Sequence, residues 1–142
     1  MTGNDHVERD LAAPRLHATA ARRATELLDV TRSFPFGPDT EAFKVRERIF
    51  LMTGRLTGSP ILTMKCDPLQ GESLRAELAV ITPGHHMNKR HWISVAAGPG
   101  VTAELIDELV TDAYLLVVGA LPRARRPALP DELARLVRRP GS

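Results

Sequence analysis

Three histidines and two fixed cations stand together in Gly84-His85-His86-Met87-Asn88-Lys89-Arg90-His91-Trp92, and no acid occurs between residues 78 and 100. The run is entered through Pro83-Gly84 and ends on an aromatic. It offers backbone N–H donors, positive charge and a ring in one place, which are the parts that hold a phosphate or a base. The same residues have a structural reading, with Lys89 and Arg90 tethering a neighbouring loop and Trp92 in the core. Binding residues concentrate in such loops, so the ligand reading is favoured and the structural one stays open.

Other chemistries fit less well. His85, His86 and His91 lack the i,i+4 spacing of a helical metal site, and no carboxylate or second cysteine is close in sequence. We expect neither metal nor cofactor. Cys66 is the sole cysteine and sits on an alternating stretch, where a thiol is usually a small core residue rather than a nucleophile. No carboxylate pair, Gly-x-Ser-x-Gly or phosphate-loop motif occurs, so the expectation is a binding protein and not an enzyme. Lys44 and Lys65 are two of only three lysines, Lys89 being the third. Each lies among apolar residues on an expected strand. Either both project from an open sheet face toward one patch, or each marks the solvent side of an edge strand.

Charge is unevenly spread. Residues 123–142 hold six arginines against Asp131 and Glu132, a surplus of four, while the other 122 residues hold 13 basic and 15 acidic side chains. Any anion site on the body must therefore be a local patch, with the excess in a separable tail. The length of 142 residues suits one domain with its own core. With a single cysteine no internal disulfide can form, which fits a reducing cytoplasm. The first ten residues are polar and unlike a secretory signal, and the longest apolar run, 114–121, is too short to span a membrane.

These residues need a frame. Residues 1–12 read as a disordered lead-in. Leu16, Ala20, Ala24, Leu27 and Leu28 give a helical stripe over 14–30. Phe34-Pro35-Phe36-Gly37-Pro38-Asp39 must be a loop, and its two phenylalanines suggest that it is pinned to the body. Residues 41–46 and 49–53 read as a hairpin, 54–60 as a turn, and 61–66 as a strand with Leu62, Met64 and Cys66 on one side. Asp67, Pro68 and Gln70 form a helix start with a capping box, followed by inward Leu69, Leu74 and Leu78. Residues 91–96 read as the last strand. Thr102 caps a long helix to about residue 121, and 131–139 reads as a short basic helix. The fold class is α+β: a twisted antiparallel sheet of four strands, with the N- and C-terminal helices packed on one face and the other face at least partly open.

Four segments in this order and spacing, Phe34-Pro35-Phe36-Gly37-Pro38-Asp39, Phe43-Lys44-Val45, Leu62-Thr63-Met64-Lys65-Cys66-Asp67-Pro68 and the run from Pro83 to Trp92, resemble the MmcQ/YjbR-like family over about residues 14–122. The resemblance implies a frataxin-like (CyaY-like) α+β fold, related to a "double wing" DNA-binding arrangement. It implies a DNA-binding role, with Lys44, Lys65, His86, Asn88, Lys89, Arg90 and Trp92 as the site. A frataxin-type iron site is discounted, because the first helix carries Arg15, Arg22 and Arg23 against Glu26 and Asp29. The expectation is a domain over 13–122 with an arginine-rich tail over 123–142, monomeric and cytoplasmic, binding nucleic acid. The alternative is an anionic metabolite held by the same loop.

Overall fold

The computed structural model describes residues 9–84 and 87–137. In chain order it comprises α1 (Leu16–Glu26), β1 (Val30–Ser33), β2 (Glu41–Val45), β3 (Arg48–Leu56), β4 (Ser59–Lys65), α2 (Pro68–Glu77), β5 (Ile81–Pro83), β6 (Trp92–Ala96), α3 (Ala103–Ala120) and α4 (Asp131–Ala134). The six strands form one antiparallel sheet in the order β1-β2-β3-β4-β6-β5. The α+β class, the single sheet and the two helices on one face are as expected.

Two strands were not expected. Leu27 and Leu28 continue the spacing of α1, which predicts a helix as far as Val30. It ends instead at Glu26, Asp29 turns the chain through φ 63°, and Val30 starts an edge strand. Leu28 is consequently 41% exposed, although its carbonyl is used by the core. β5 is three residues long and ends in Pro83, which suits a sheet edge but gives no alternation to read.

Tight turns set the registers. Arg46 and Glu47 both take positive φ, 50° and 67°, making a two-residue turn between β2 and β3 without glycine. Thr57 and Gly58 do the same between β3 and β4, so the expected 54–60 turn shrinks to two residues and both strands lengthen. The β2–β3 register slips by one between Phe43 and Lys44. That bulge lets Phe50 and Leu51, adjacent in sequence, both join the helix-side core.

The core lies between the sheet and the α1–α3 layer. Ala20 and Ala24 keep α1 thin, and α3 supplies Ile106, Val110, Ala113, Tyr114 and Val117. Tyr114 meets Phe50 edge to face, with centroids 5.5 Å apart and planes at 80°. Its hydroxyl donates to the Leu28 carbonyl at 2.7 Å, tying α3 to the end of α1. Asp67 caps α2 through the amides of Leu69 and Gln70. The Gln70 side chain does not complete the capping box but donates to Asp112. Leu69 is 74% exposed rather than inward, since α2 lies at the sheet margin and faces it through Gly71 and Leu74.

Both ends of the described chain are held. Asp10 accepts from the Gly100 amide and Leu11 donates to Val101, so the end of the expected lead-in is anchored. After Pro122, Leu129, Leu133 and Val137 pack against the main core and Pro127 is buried. The segment is thus docked over 123–137 rather than separable, and α4 is only Asp131–Ala134. No described helix is long and apolar enough to cross a membrane. Replacing Tyr114 by Phe should leave the Leu28 carbonyl without its donor and cost about 1 kcal/mol. The urea midpoint should fall with an unchanged slope.

Candidate functional site: the uncovered sheet face

The strand period of two sends half of the sheet's side chains away from α1 and α3. Paired positions place Ser33, Ala42, Met52, Thr63, Ser94 and Thr82 in one row across all six strands. Thr63 and Ser94 share a hydrogen bond of 3.2 Å at its centre. A second row, toward the β2–β3 turn, contains Thr31, Lys44 and Ile49, and then Lys65 opposite Trp92. Ala42, Met52 and Trp92, with Ile49 and Met87 against them, form a small apolar cluster separate from the main core.

Trp92 is only 7% exposed. Its ring lies beneath the Lys65 ammonium, 5.4 Å from the centroid, and therefore does not offer the free stacking surface expected of it. Burial, and then the charge of Arg48, pushes the Lys65 amine below the usual lysine range. Arg48 had not been singled out in the sequence. Its only signal is its position beside Ile49, because the chain must fold at residues 46–47 to bring it near Lys65.

The loop between β5 and β6 is tightly tied. The Gly84 amide donates to the Trp92 carbonyl at 2.8 Å, and Cys66 donates to His91 at 2.8 Å. A Cβ on Gly84 would lie 2.4 Å from that of Trp92, so only glycine fits there. Asn88 accepts the Arg90 amide through Oδ1 at 2.9 Å and the His91 amide through its carbonyl at 3.1 Å. Asn88 is thus committed to shaping the turn. Lys89 and Arg90 sit exposed on it. His86 lies outside the described residues.

Lys44, Lys65 and Trp92 therefore share one row, and Asn88, Lys89 and Arg90 sit on the loop leading into Trp92. Among the described residues, Lys44, Arg48, Lys65, Lys89 and Arg90 have no carboxylate partner. The ion pairs join Arg22 and Arg23 to Glu26, Arg22 to Asp107, Arg32 to Glu41 and Arg46 to Asp29. Arg46 also donates to the Arg125 carbonyl at 2.9 Å, which holds the 123–126 segment beside the β2–β3 turn. In that segment Arg126 is occupied, donating to the Leu121 and Gly119 carbonyls at the end of α3.

Two of the cavities that adjoin the sheet lie near these rows. One, of about 380 Å³ on the helix side, contains His17, Arg32, Asp39 and Glu41. Three of these are partnered: Arg32 holds Glu41 at 2.8 Å, and His17 Nε2 sits 2.7 Å from the Gly54 carbonyl. The other, of about 370 Å³, opens on the uncovered face and is lined mainly by Phe36, Met52, Ile61 and Met87 over Gly54 and Thr63. Phe36 is 62% exposed and Phe34 54%, so the 34–39 loop is not pinned by its phenylalanines as expected. Phe36 overhangs this groove, and Phe34 lines the helix-side cavity. Cys66 faces the main core, and its thiol is pushed up to about 11 by burial and then by Asp67 and Asp112.

A family model named YjbR matches residues 25–116, which run from the end of α1 into the last turns of α3. The chain is 40% identical over 108 residues to the uncharacterized protein YbdF of Escherichia coli O157:H7, covering 76% of this chain and 88% of that one. It is 30% identical over 86 residues to the uncharacterized protein YjbR of Escherichia coli K12, covering 61% and 73%. The crystal structure of Deinococcus radiodurans DR2400, with domain DUF419, aligns with a TM-score of 0.67 at 36% identity over 80% of this chain and 83% of that one. A Pseudomonas syringae protein shares the fold, with a TM-score of 0.55 at 24% identity over 66% and 91% of the two chains. The chain belongs to the YjbR family.

Two outcomes test this local picture. A thiol shifted from 9.0 to about 11 carries roughly a hundredfold less thiolate at pH 8. Iodoacetamide should therefore label Cys66 at least that much more slowly in the folded protein than in urea. Gly84→Ala should cost about 1–3 kcal/mol by overpacking. It should also shift the emission of Trp92, the sole tryptophan.

Proposed function

We propose that this chain is a non-enzymatic, cytoplasmic nucleic-acid-binding protein whose contact surface is the cationic end of the uncovered sheet face. The carrying observation is that Lys44 and Lys65 leave the same face, Arg48 acts on Lys65, and Lys89 and Arg90 sit exposed on the loop leading to Trp92, none of them with a carboxylate partner among the described residues. Clustered like charges cost free energy, and a bound polyanion offsets it. The Lys65 amine is pushed down first by its burial and then by the charge of Arg48. Elsewhere the described ion pairs spend arginines on internal contacts. The exposed Arg123 and Arg125, held beside the same turn, enlarge the patch. The body is otherwise slightly acidic, so affinity comes from this patch and is modest. Asn88 and Trp92 act by positioning: one shapes the turn carrying Lys89 and Arg90, and the other supports Lys65. A second reading, an acidic metabolite at the same loop, is favoured by the adjoining groove of about 370 Å³.

Neutralising four or five phosphates predicts a slope of log affinity on log salt of about −4. Binding of a labelled oligonucleotide, followed by anisotropy, should then weaken by roughly two orders of magnitude between about 50 and 200 mM salt. The Lys89→Ala/Arg90→Ala variant should bind more weakly, with a slope shallower by about 2. Unchanged affinity in that variant and in Arg123→Ala/Arg125→Ala would refute the assignment. Thermal stabilisation by one anionic metabolite, with no response to nucleic acid, would favour the second reading.

A further inference from the structure

The groove on the uncovered face is not explained by phosphate binding. Its lining includes Phe36, Met52, Gly54, Ile61, Thr63 and Met87, and its volume is about 370 Å³. That volume is within the range of small-ligand pockets. Gly54 adds no side chain to the lining, and Thr40 packs over it, 3.3 Å from where a Cβ would stand. A lining that holds the thioethers of Met52 and Met87 and the exposed Phe36 ring suits a planar aromatic ring, since both kinds of group make favourable contacts with ring faces and edges. The groove also adjoins the cations. Thr63 and Lys65 are alternate residues of β4, so their side chains leave the same face about 7 Å apart. Met87, also in the lining, is two residues from Lys89.

We infer that this groove is a nucleobase slot, so that one nucleotide places its base against Phe36 and Met87 and its phosphate on the row headed by Lys65. The inference rests on the cationic-surface reading above and adds a ligand class to it. A base stacked and paired within a duplex cannot enter such a slot without being extruded, so the surface prefers unpaired strands. Trp92 is covered by Lys65, and the stacking role falls to the exposed Phe36.

The test compares a short labelled oligothymidylate with an abasic strand of the same length and with the matching duplex, at low salt, on the full chain. The abasic strand should bind about tenfold more weakly, the gain expected from one stacked base. The duplex should also bind more weakly than the single strand. Phe36→Ala and Gly54→Val should each remove the difference between the normal and abasic strands. Phe36 is 62% exposed, so its replacement leaves the fold intact even if Gly54→Val does not fold. Equal binding of normal and abasic strands overturns the slot, as does a difference that survives Phe36→Ala. If those strands bind equally but with steep salt dependence, the slot fails and the cationic surface stands. If no strand binds at all, both fail. Competition by free thymidine monophosphate separates the two sources of the ligand: displacement at a lower concentration per nucleotide than by the strand assigns the slot to the free nucleotide, and the reverse assigns it to the strand.

Discussion

A sheet with its helices on one face only is the constraint from which the other features follow. α1 and α3 both pack on the same side, and the apolar residues of β2, β3, β4 and β6 that point there form the main core. Each such side chain contributes about 1.5–3 kcal/mol by burial, so this side sets the registers. The bulge that turns both Phe50 and Leu51 inward is a consequence. The opposite side then carries whatever alternation leaves over: small and hydroxyl residues in one row, lysines and Trp92 in the next. Its burial is modest: a cluster of Ala42, Met52 and Trp92, closed by Ile49 and Met87, beside Ile61, Thr63 and Ser94.

The 84–92 loop divides into residues committed to the fold and residues left exposed. Gly84 admits the close approach of two backbones, Trp92 fills the small cluster, and Asn88 closes the turn. Those three are held by folding. Lys89 and Arg90 are not, since they have no carboxylate partner among the described residues and point to solvent. The two readings of the loop are thus not rivals for the same side chains. The rigid members deliver the cations to the end of the sheet where Lys44, Arg48 and Lys65 already lie.

Local sequence was enough for the elements whose signals are local. α3 has its Thr102 cap and broad apolar stripe, α2 has Asp67 followed by Pro68, and the β2–β3 hairpin has two alternating runs. It was not enough for β1 and β5. These are short edge strands that gain their identity only by pairing with residues 42–45 and 93–95. Leu28 and Leu69 kept helical spacing yet face solvent, because spacing says which residues share a side and not whether that side is covered. The exposure of Phe34 and Phe36 was hidden for the same reason.

The sequence alone determined the α+β class, a local rather than global positive charge, and the concentration of cations in residues 83–92 with Lys44 and Lys65 apart from them. Those properties depend on residue type and near spacing. Only the tertiary structure decided that Lys44, Arg48 and Lys65 converge, that Trp92 lies beneath Lys65 instead of open to a ligand, that the arginine segment is held beside the β2–β3 turn, and that a groove sits under Phe36. Each of these needs strands distant in sequence to be set side by side. That choice is made by burial on the far face of the sheet, where none of these residues lies.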